Sequence, residues 1–373
     1  MCPNCNIESM NTLNKILKLS KEFIFINSIP ENPKALEDIL ELALSNLKEF
    51  TVENFSKNGI KSALIYNTDK RPKKFNVILN GHLDVIPGKD NQYKPKIIGN
   101  KLYGVGSMDM KSNVACLIMA FKEVAKKVDY PLALQLVTDE QTGSLYGTKY
   151  QVDKGVRANF VIAGETTNFN IVNKAKGVMW IKVSTKGKSA HSAYPWQGEN
   201  SIWAMQEFLG KLKKKYPIPK SEVWDTTVNV SCIKTSNQSF NKIPDDCEIW
   251  IDIRYIQNEK AIIMNQLKNL LPNGFSLEIV HEESPLFVNE TNKYLKALQS
   301  SATKILKRKV SLYSAHGTSD ATYYTKVGCP AVEFGTIGIT GNTNDEYVNI
   351  PSLKMYYQIL TKFLLGLKSI DFK

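Results

Sequence analysis

The chain has 373 residues and a formal net charge of +12 at pH 7, with 43% hydrophobic and 23% charged residues. This composition excludes disordered, collagen-like and repeat chains, and the length exceeds what one hydrophobic core usually serves. The lysines alternate with apolar residues along apparent helices and form no basic stripe with interleaved aromatics, so we expect no nucleic-acid partner, although the charge can attract small anionic substrates.

No apolar stretch is long enough to span a bilayer, and the start, MCPNCNIESMN, lacks a secretory pattern. We therefore expect a cytoplasmic protein without a membrane partner. Four cysteines fall in apolar surroundings, where a reduced thiol behaves as a small core residue: Cys116, Cys232, Cys247 and Cys329. Cys2 and Cys5 form a single C-x-x-C without a second ligand pair nearby, which favours a frayed terminus over a metal or redox site.

The first half of the chain predicts alternating helices and strands. Amphipathic helices are expected over residues 11–26, after Pro30 in ENPKALEDILELALSNLKEF, and over 112–127. Short apolar runs fit buried strands at Ser62–Tyr66, Phe75–Asn80, Leu132–Thr138 and Asn159–Ala163. This alternation predicts the α/β class, with a mixed, mostly parallel sheet sandwiched by helices.

From about residue 177 the pattern changes to half-exposed strands. VMWIKVSTKG and DDCEIWIDIR alternate, and two helices and the strand FSLEIVH complete the order of a βαββαβ unit. The first of these helices is expected to place Ile202, Met205, Leu209 and Leu212 on one face. The first pattern returns with helices over 290–307 and 352–367. We predict a larger domain in two parts, 1–177 and 284–373, interrupted by an α+β domain with an open antiparallel sheet, 178–283.

Polar groups follow several predicted strands, in GHLD (81–84), GSMDMK (106–111), TDEQTG (138–143) and AGETT (163–167). The carboxyl ends of parallel strands meet in the crevice where α/β proteins bind ligands. These segments therefore bring one imidazole and several carboxylates to one crevice, which is the composition of a metal site.

A catalytic zinc ion takes three protein ligands and leaves a position for water. His82, Asp109 and Glu165 can supply the three ligands, Asp84 can orient the imidazole of His82, and Glu140 remains as the general base. The alternatives are ordinary: Asp109 could cap the following helix, and Glu165 could lie in a turn.

A longer series of motifs carries a family resemblance: GHLDVIP, GVGSMDMK, TDEQTGSLYG, AGETT, GKSAHSAYP, NKIPDDCEIWIDIR, HGTSD and NDEYVNIPSL. The chain resembles the zinc amidohydrolase and metallopeptidase family of acetylornithine deacetylase, succinyl-diaminopimelate desuccinylase and glutamate carboxypeptidase. The motifs follow the family's order and span residues 77–353. The resemblance implies a zinc-peptidase-like fold in which the inserted domain is a lid or dimerisation domain.

The resemblance also implies a role for each matching residue. His82 and Glu165 match ligands of one metal, Asp109 the carboxylate that bridges two metals, Asp84 the orienting aspartate, and Glu140 the base.

His191 matches a lid histidine that reaches the partner's site in family dimers and stabilises the oxyanion, although a locally bonded strand-end histidine is the alternative. Arg254, Asn241 and the loop Gly317, Thr318 and Ser319 match substrate-binding positions.

Two positions depart from the family pattern. Gln141 and Asn342 stand where the two ligands private to the second metal are expected, and neutral amides bind zinc weakly. His316 lies beside the substrate loop and could replace the missing ligand, although a loop histidine that contacts substrate or solvent is commoner.

The expected function is hydrolysis of the amide bond of an N-acyl amino acid or small peptide. We expect one tight Zn²⁺, with a second site weak or absent and Co²⁺ or Mn²⁺ as substitutes, and a homodimer formed through the inserted domain. The acyl group is left open. The alternative is a catalytically impaired family member that acts as a binding or association module.

Overall fold

A computed structural model of the protein describes residues 3–339 and 345–367. These residues form two compact units. The first contains the described residues up to Lys174, Phe287–Tyr313 and those from Ser319 onward, and the second contains Ala175–Leu286 and Ser314–Thr318. The second unit therefore includes the predicted inserted segment, 178–283, extends it by three residues at each end, and adds Ser314–Thr318, which contains Gly317 and Thr318 of the predicted substrate loop.

The helices of the described chain are α1 (Pro3–Phe25), α2 (Pro33–Ser45), α3 (Lys111–Ala125), α4 (Thr148–Asp153), α5 (Ser201–Lys215), α6 (Lys260–Leu270), α7 (Lys293–Leu306), α8 (Ala321–Lys326) and α9 (Ile350–Gly366). The strands are β1 (Thr51–Lys57), β2 (Ile60–Tyr66), β3 (Phe75–His82), β4 (Lys96–Ile98), β5 (Lys101–Tyr103), β6 (Leu132–Val137), β7 (Ala158–Ala163), β8 (Ile171–Ala175), β9 (Gly177–Lys186), β10 (Thr227–Lys234), β11 (Asp246–Tyr255), β12 (Phe275–Glu283), β13 (Leu286–Phe287), β14 (Leu312–Ala315), β15 (Ala331–Glu333), β16 (Gly338–Ile339) and β17 (Tyr347–Asn349).

The first unit is built on a large mixed sheet whose order begins β1-β2-β6-β3-β7-β15-β8. Its centre is parallel, because β3 pairs with β6 and β7 and β15 pairs with β7 in that sense. The pairs β1–β2, β2–β6 and β15–β8 are antiparallel. The predicted α/β class with a mixed sheet and an additional antiparallel sheet is confirmed, and parallel pairing is concentrated at the strands that end at the predicted site.

The central strands are buried on both sides, so they read as continuous apolar runs in the sequence. All six residues of β6 are buried, and α3 packs against α1 and α9 beside the sheet. The resulting core includes Phe121, Phe160 and Leu360, each fully buried. This packed layer fixes the strand ends from which the site is built.

The second unit contains a four-stranded antiparallel sheet in the order β10-β11-β9-β12. Residues along β11 alternate strictly between buried and half-buried, as a sheet with one covered face requires. The predicted face of α5 needs correction: Met205, Phe208 and Leu212 are buried, whereas Ile202 in the first turn is 36% exposed. Leu209 packs at the margin of this core. Phe208 packs against Phe275 of β12, with ring centroids 5.9 Å apart, so the buried face includes Phe208 and leaves Ile202 outside it.

Smaller features complete the description. A short sheet in the order β16-β17-β5-β4 lies in the first unit and was not predicted. Cys116, Cys247 and Cys329 are buried free thiols, as expected, but Cys232 is only half-buried because it lies on the outer strand β10. Cys2 and the side chain of Cys5 lie outside the described residues. None of the helices in the described ranges is both long and apolar enough to cross a membrane.

Candidate metal centre

The site forms where three parallel strands end side by side. The register pairs His82, the last residue of β3, with Val137 of β6 and pairs Asn80 with Ala163 of β7. Glu140 and Glu165 follow the ends of β6 and β7 within three residues, so their side chains enter the same crevice as His82.

His82, Asp109 and Glu165 can share one metal ion. Each offers a ligand atom, and these atoms lie within 4.8 Å of one another. His82 Nε2 is 3.0 Å from Asp109 Oδ1 and 3.8 Å from Glu165 Oε1. Glu140 Oε2 is also 3.8 Å from this nitrogen. Within residues 3–339 and 345–367 this is the one group of His, Cys, Asp or Glu with such geometry.

A buried oxygen of Glu165 supports a cation at this point. Glu165 Oε1 has no hydrogen-bond partner among the described residues, although buried polar atoms are normally paired. The alternative capping role of Asp109 is not seen, because the residue that precedes α3 is Met110 and no side chain caps this helix. One imidazole and two carboxylates are a donor set that suits zinc.

The titration of these groups reflects the crowding of acids in a buried crevice. Burial raises the pKa of Glu165 to about 8 and raises that of Glu140 well above its usual range, with mutual repulsion adding to both. Burial alone would lower the pKa of His82, but the carboxylates of Glu140 and Asp109 raise it strongly. A bound cation would favour the ionised carboxylates and the neutral imidazole, so the residues fit a metal ion.

The orientation of His82 depends on both parts of Asp84. His82 Nδ1 lies 3.0 Å from the backbone carbonyl oxygen of Asp84 and 3.5 Å from its carboxylate Oδ1. Asp84 Oδ2 accepts a hydrogen bond of 2.7 Å from the backbone N–H of Gln141. These contacts direct Nε2 into the crevice and link the His82 strand to the Glu140 turn.

The loop that carries Asp109 is held by a buried carboxylate that the sequence analysis did not single out. Glu346 accepts hydrogen bonds from the backbone N–H groups of Gly106, Met108 and Asp109 at 3.0, 2.8 and 3.2 Å. Lys111 is fully buried nearby and donates a 2.7 Å bond to the carbonyl of Ile26. The only sequence signal was that Glu346 and Lys111 lie inside quoted motifs.

Other buried acids surround the site and were also missed. Asp320 accepts hydrogen bonds from Ser144, Thr148 and Asn80. Glu333 Oε1 accepts a 2.6 Å bond from Ser319, and burial raises the pKa of Glu333 to about 7. Asp139 Oδ2 accepts hydrogen bonds from the backbone N–H groups of Tyr146 and Gly147, and burial raises the pKa of Asp139 to about 7 as well.

Ser319 apart, the predicted substrate-binding residues and His191 belong to the second unit. His191 is exposed, and its Nδ1 accepts a local bond from the backbone N–H of Ala193 at 3.1 Å. Arg254 is paired with Asp252 through Nε and Nη2, at 2.8 and 2.9 Å.

Asn241 and Gly317 are exposed, and Thr318 donates a 2.8 Å bond to Glu283. The structure therefore brings His82, Asp84, Asp109, Glu140 and Glu165 together in the first unit, and the roles of the second-unit residues remain predictions.

The positions that depart from the family pattern have different surroundings. The Gln141 amide donates a 2.8 Å bond to Glu140 Oε2, and Asn342 lies outside the described residues. His316 Nε2 is 3.0 Å from Glu222 Oε1 in the second unit, and its ring lies 5.7 Å from that of Trp224. In the described part of the chain His316 is in no group of potential metal ligands.

A strand-end crevice with an imidazole, two carboxylates that could bind a metal ion and a further half-buried glutamate has the composition of a metal-dependent hydrolase site. The comparisons agree: residues 78–366 match the model of Peptidase family M20/M25/M40, and the chain belongs to this family. The predictions of the family and of a metal-dependent hydrolase of acyl amino acids or peptides are confirmed.

Among curated relatives, the chain is 26% identical over 359 residues to the succinyl-diaminopimelate desuccinylase of Pelagibacter ubique, covering 86% of this chain and 93% of that protein. It is 27% identical over 320 residues to the desuccinylase of Rickettsia bellii, covering 78% and 81%.

Among solved structures, an aminopeptidase of Bacillus cereus has a TM-score of 0.80 at 16% identity, covering 96% of this chain and 99% of that chain. A dinuclear metal-binding M20 peptidase of Bacillus subtilis has a TM-score of 0.74 at 12% identity, covering 97% and 99%. These two likenesses concern the fold.

Proposed function

We propose that the protein hydrolyses the amide bond of an N-acyl amino acid or small peptide with one tightly bound Zn²⁺ held by His82, Asp109 and Glu165. The unpaired, buried Oε1 of Glu165, placed beside His82 and Asp109, carries this proposal. Co²⁺ and Mn²⁺ are the expected substitutes, because they accept the same mixed nitrogen and oxygen donors.

When bound, zinc would favour deprotonation of water near neutral pH and polarise the scissile carbonyl. Glu140 is the proposed general base: it accepts the proton of the attacking water as the carbon–oxygen bond forms. Glu140 then passes that proton to the amine as the carbon–nitrogen bond breaks. Burial favours the protonated form of Glu140, which suits a group that must return its proton.

Asp84 is the proposed orienting residue, through its contacts to His82 Nδ1 and to the backbone of Gln141. For the substrate we propose Arg254 as the partner of a carboxylate, because its Nη1 makes no hydrogen bond to any described residue while Asp252 holds the other two nitrogens. Asn241, Gly317, Thr318 and Ser319 are the proposed backbone-binding positions, and His191 is the proposed oxyanion donor.

The test of the base is Glu140→Ala beside Glu207→Ala, a control at an exposed glutamate of α5. We expect both variants to keep about one zinc ion per chain, measured by elemental analysis. Glu140→Ala should lose at least about a thousandfold in kcat, since general base catalysis and its geometry contribute on that scale. Full activity of Glu140→Ala would remove this residue from the mechanism.

The substrate class is tested with a panel of N-acetyl amino acids, dipeptides, tripeptides and N-succinyl-diaminopimelate. The last compound is included because the curated relatives are named desuccinylases. Hydrolysis of one class with zinc present, and its loss after chelation, is the expected result. Zinc-loaded protein that hydrolyses none of them would favour a binding or association role.

We further propose a homodimer through the inserted domain, which would let His191 act in the partner's site. Large exposed side chains in the second unit support this, because Trp196 and Trp203 are 75% and 67% exposed. Sedimentation velocity should give a dimer for the native chain and a monomer for Trp203→Glu.

A cytoplasmic location is proposed from the buried free thiols, and cell fractionation tests it.

A further inference from the structure

Gln141 donates hydrogen bonds to two acidic residues of the candidate site. Its side-chain Nε2 donates a 2.8 Å hydrogen bond to Glu140 Oε2, and its backbone N–H donates a 2.7 Å bond to Asp84 Oδ2. The carboxylate of Asp109 lies in the same crevice, with Oδ1 3.0 Å from His82 Nε2.

The local backbone explains how one residue reaches both acids. Glu140–Thr142 is a single 3₁₀ turn that ends at Gly143, whose φ of 95° is in the left-handed region. The N–H of Gly143 donates a 2.8 Å bond back to the carbonyl of Glu140, which closes the turn. The tight turn directs the adjacent side chains of Glu140 and Gln141 toward each other across the edge of the crevice.

The charge balance of the site explains why a hydrogen bond from Gln141 to Glu140 matters. Asp109, Glu140 and Glu165 approach one imidazole, and carboxylates this close repel each other unless cations or hydrogen-bond donors offset them. A second metal ion would be one solution. A neutral amide offers an N–H donor to Glu140 Oε2, adds no charge and binds metal ions weakly.

We propose that Gln141 is a positioning residue that holds the carboxylate of Glu140 in a site built for one metal ion, where it replaces the offset that a second cation would provide. This inference rests on the proposed function, because it assigns the amide a role in aligning the base. It does not make Gln141 a ligand or a proton carrier.

The first experiment compares Gln141→Met with a control, Gln206→Met, at an exposed glutamine of α5. Methionine keeps the length of the side chain and removes its N–H donors. We expect Gln141→Met to keep about one zinc per chain and the native melting temperature, and to lose about 10- to 100-fold in kcat with KM nearly unchanged, because a displaced base costs rate and not binding. Native kcat, or loss of the zinc, would overturn the positioning role.

The second experiment uses Gln141→Glu and does not depend on activity. A carboxylate here adds negative charge and a good oxygen donor beside Glu140 and Asp109, so titration with Co²⁺ should show a second equivalent by visible absorption and elemental analysis. The native chain should stop near one equivalent. Two equivalents in the native chain, or one in Gln141→Glu, would overturn the inference.

The outcomes separate this inference from the proposed function. A native chain that binds no metal or hydrolyses nothing refutes the proposed function itself. A native chain that hydrolyses the substrate with one metal, beside an equally active Gln141→Met, refutes only the role of Gln141.

Discussion

The two units of the molecule differ in how many charged side chains they bury. Among the described residues of the first unit, seven charged side chains are buried around or beside the predicted site: His82, Asp84, Lys111, Asp139, Asp320, Glu333 and Glu346. Among the described residues of the second unit, Lys176 is the one buried charged side chain, and the charged residues of β11 remain on the open face of its sheet.

This difference in buried charge fits the presence of the candidate metal centre in the first unit. Burying a charge costs several kcal/mol unless hydrogen bonds or counter-charges compensate it, and such groups cluster at functional sites. In the first unit, charged groups are buried near the strand ends despite this cost in free energy. The second keeps an apolar core on one face of its sheet and exposes aromatic side chains such as Trp196 and Trp203, which suits contact with other molecules. The following predictions test how far this division holds.

The largest effect is expected from His82→Ala, compared with His281→Ala in the second unit. His82 supplies the nitrogen ligand proposed for zinc, whereas His281 pairs with Glu283 and lies beside Trp180. His82→Ala should lose its zinc and at least about a thousandfold in kcat/KM, equivalent to ~4 kcal/mol. His281→Ala should retain its metal. Equal zinc loss in both variants would contradict the assignment of metal binding to the first unit.

Ile251→Ala should damage the second unit and spare the metal site. Ile251 is 1% exposed in the core beneath the four-stranded sheet of that unit, so its truncation should lower the unit's free energy of unfolding by about 2–5 kcal/mol. Hydrogen exchange resolved by segment is the measurement, because a chain of two units need not unfold in one step. Ile262→Ala, at a residue 54% exposed, is the control. Loss of zinc from Ile251→Ala would show that the units are not separable.

Glu333→Gln should change the pH dependence of stability. Burial raises the pKa of Glu333 from 4.5 to about 7, so the folded state binds this proton more tightly than the unfolded chain. The native protein therefore loses stability as pH rises between about 4.5 and 7, by up to about 3 kcal/mol. Glutamine does not titrate and can still accept the bond from Ser319.

In the chelator-treated protein, Glu333→Gln should thus gain stability relative to the native chain between pH 5 and pH 8. Chemical denaturation at several pH values measures the difference. The nearby Glu165 is present in both proteins and titrates in the same range, so Glu290→Gln, at an exposed acid, provides the baseline. A difference that stays constant over this range would show that Glu333 does not titrate as inferred.

The strands that position the site were predictable because full burial makes them short, continuous apolar runs. The runs at Phe75–Asn80 and Leu132–Thr138 correspond to β3 and β6. β1 was not predicted, because its burial is limited to one residue and it reads as polar. Its hairpin did carry a local signal, since Asn58 and Gly59 have φ of 51° and 80°, as an Asn-Gly turn adopts.

Asp109 follows β5, a strand that was not predicted, but His82 and Glu165 could be predicted because they closely follow predicted strands. Asp320 could not, because its partners Asn80 and Thr148 lie 240 and 172 residues away along the chain. A buried acid has no local signature: its burial and its hydrogen bonds are set by tertiary contacts. The same reason explains why the predicted face of α5 included Ile202 and omitted Phe208, although Met205 and Leu212 are buried as predicted.

The smallest effect is expected from Glu346→Gln, which tests the support of the Asp109 loop. Glutamine can still accept the bonds from Met108 and Asp109, but its NH₂ group would face the N–H of Gly106, so two donors would oppose each other. Groups that support a metal ligand typically contribute 10- to 100-fold to metal affinity. We expect a loss in that range for zinc, measured by competition with a chelating dye. Glu290→Gln is again the control. Unchanged affinity would mean that the loop holds its shape without Glu346, and that this buried charge serves stability and not the metal site.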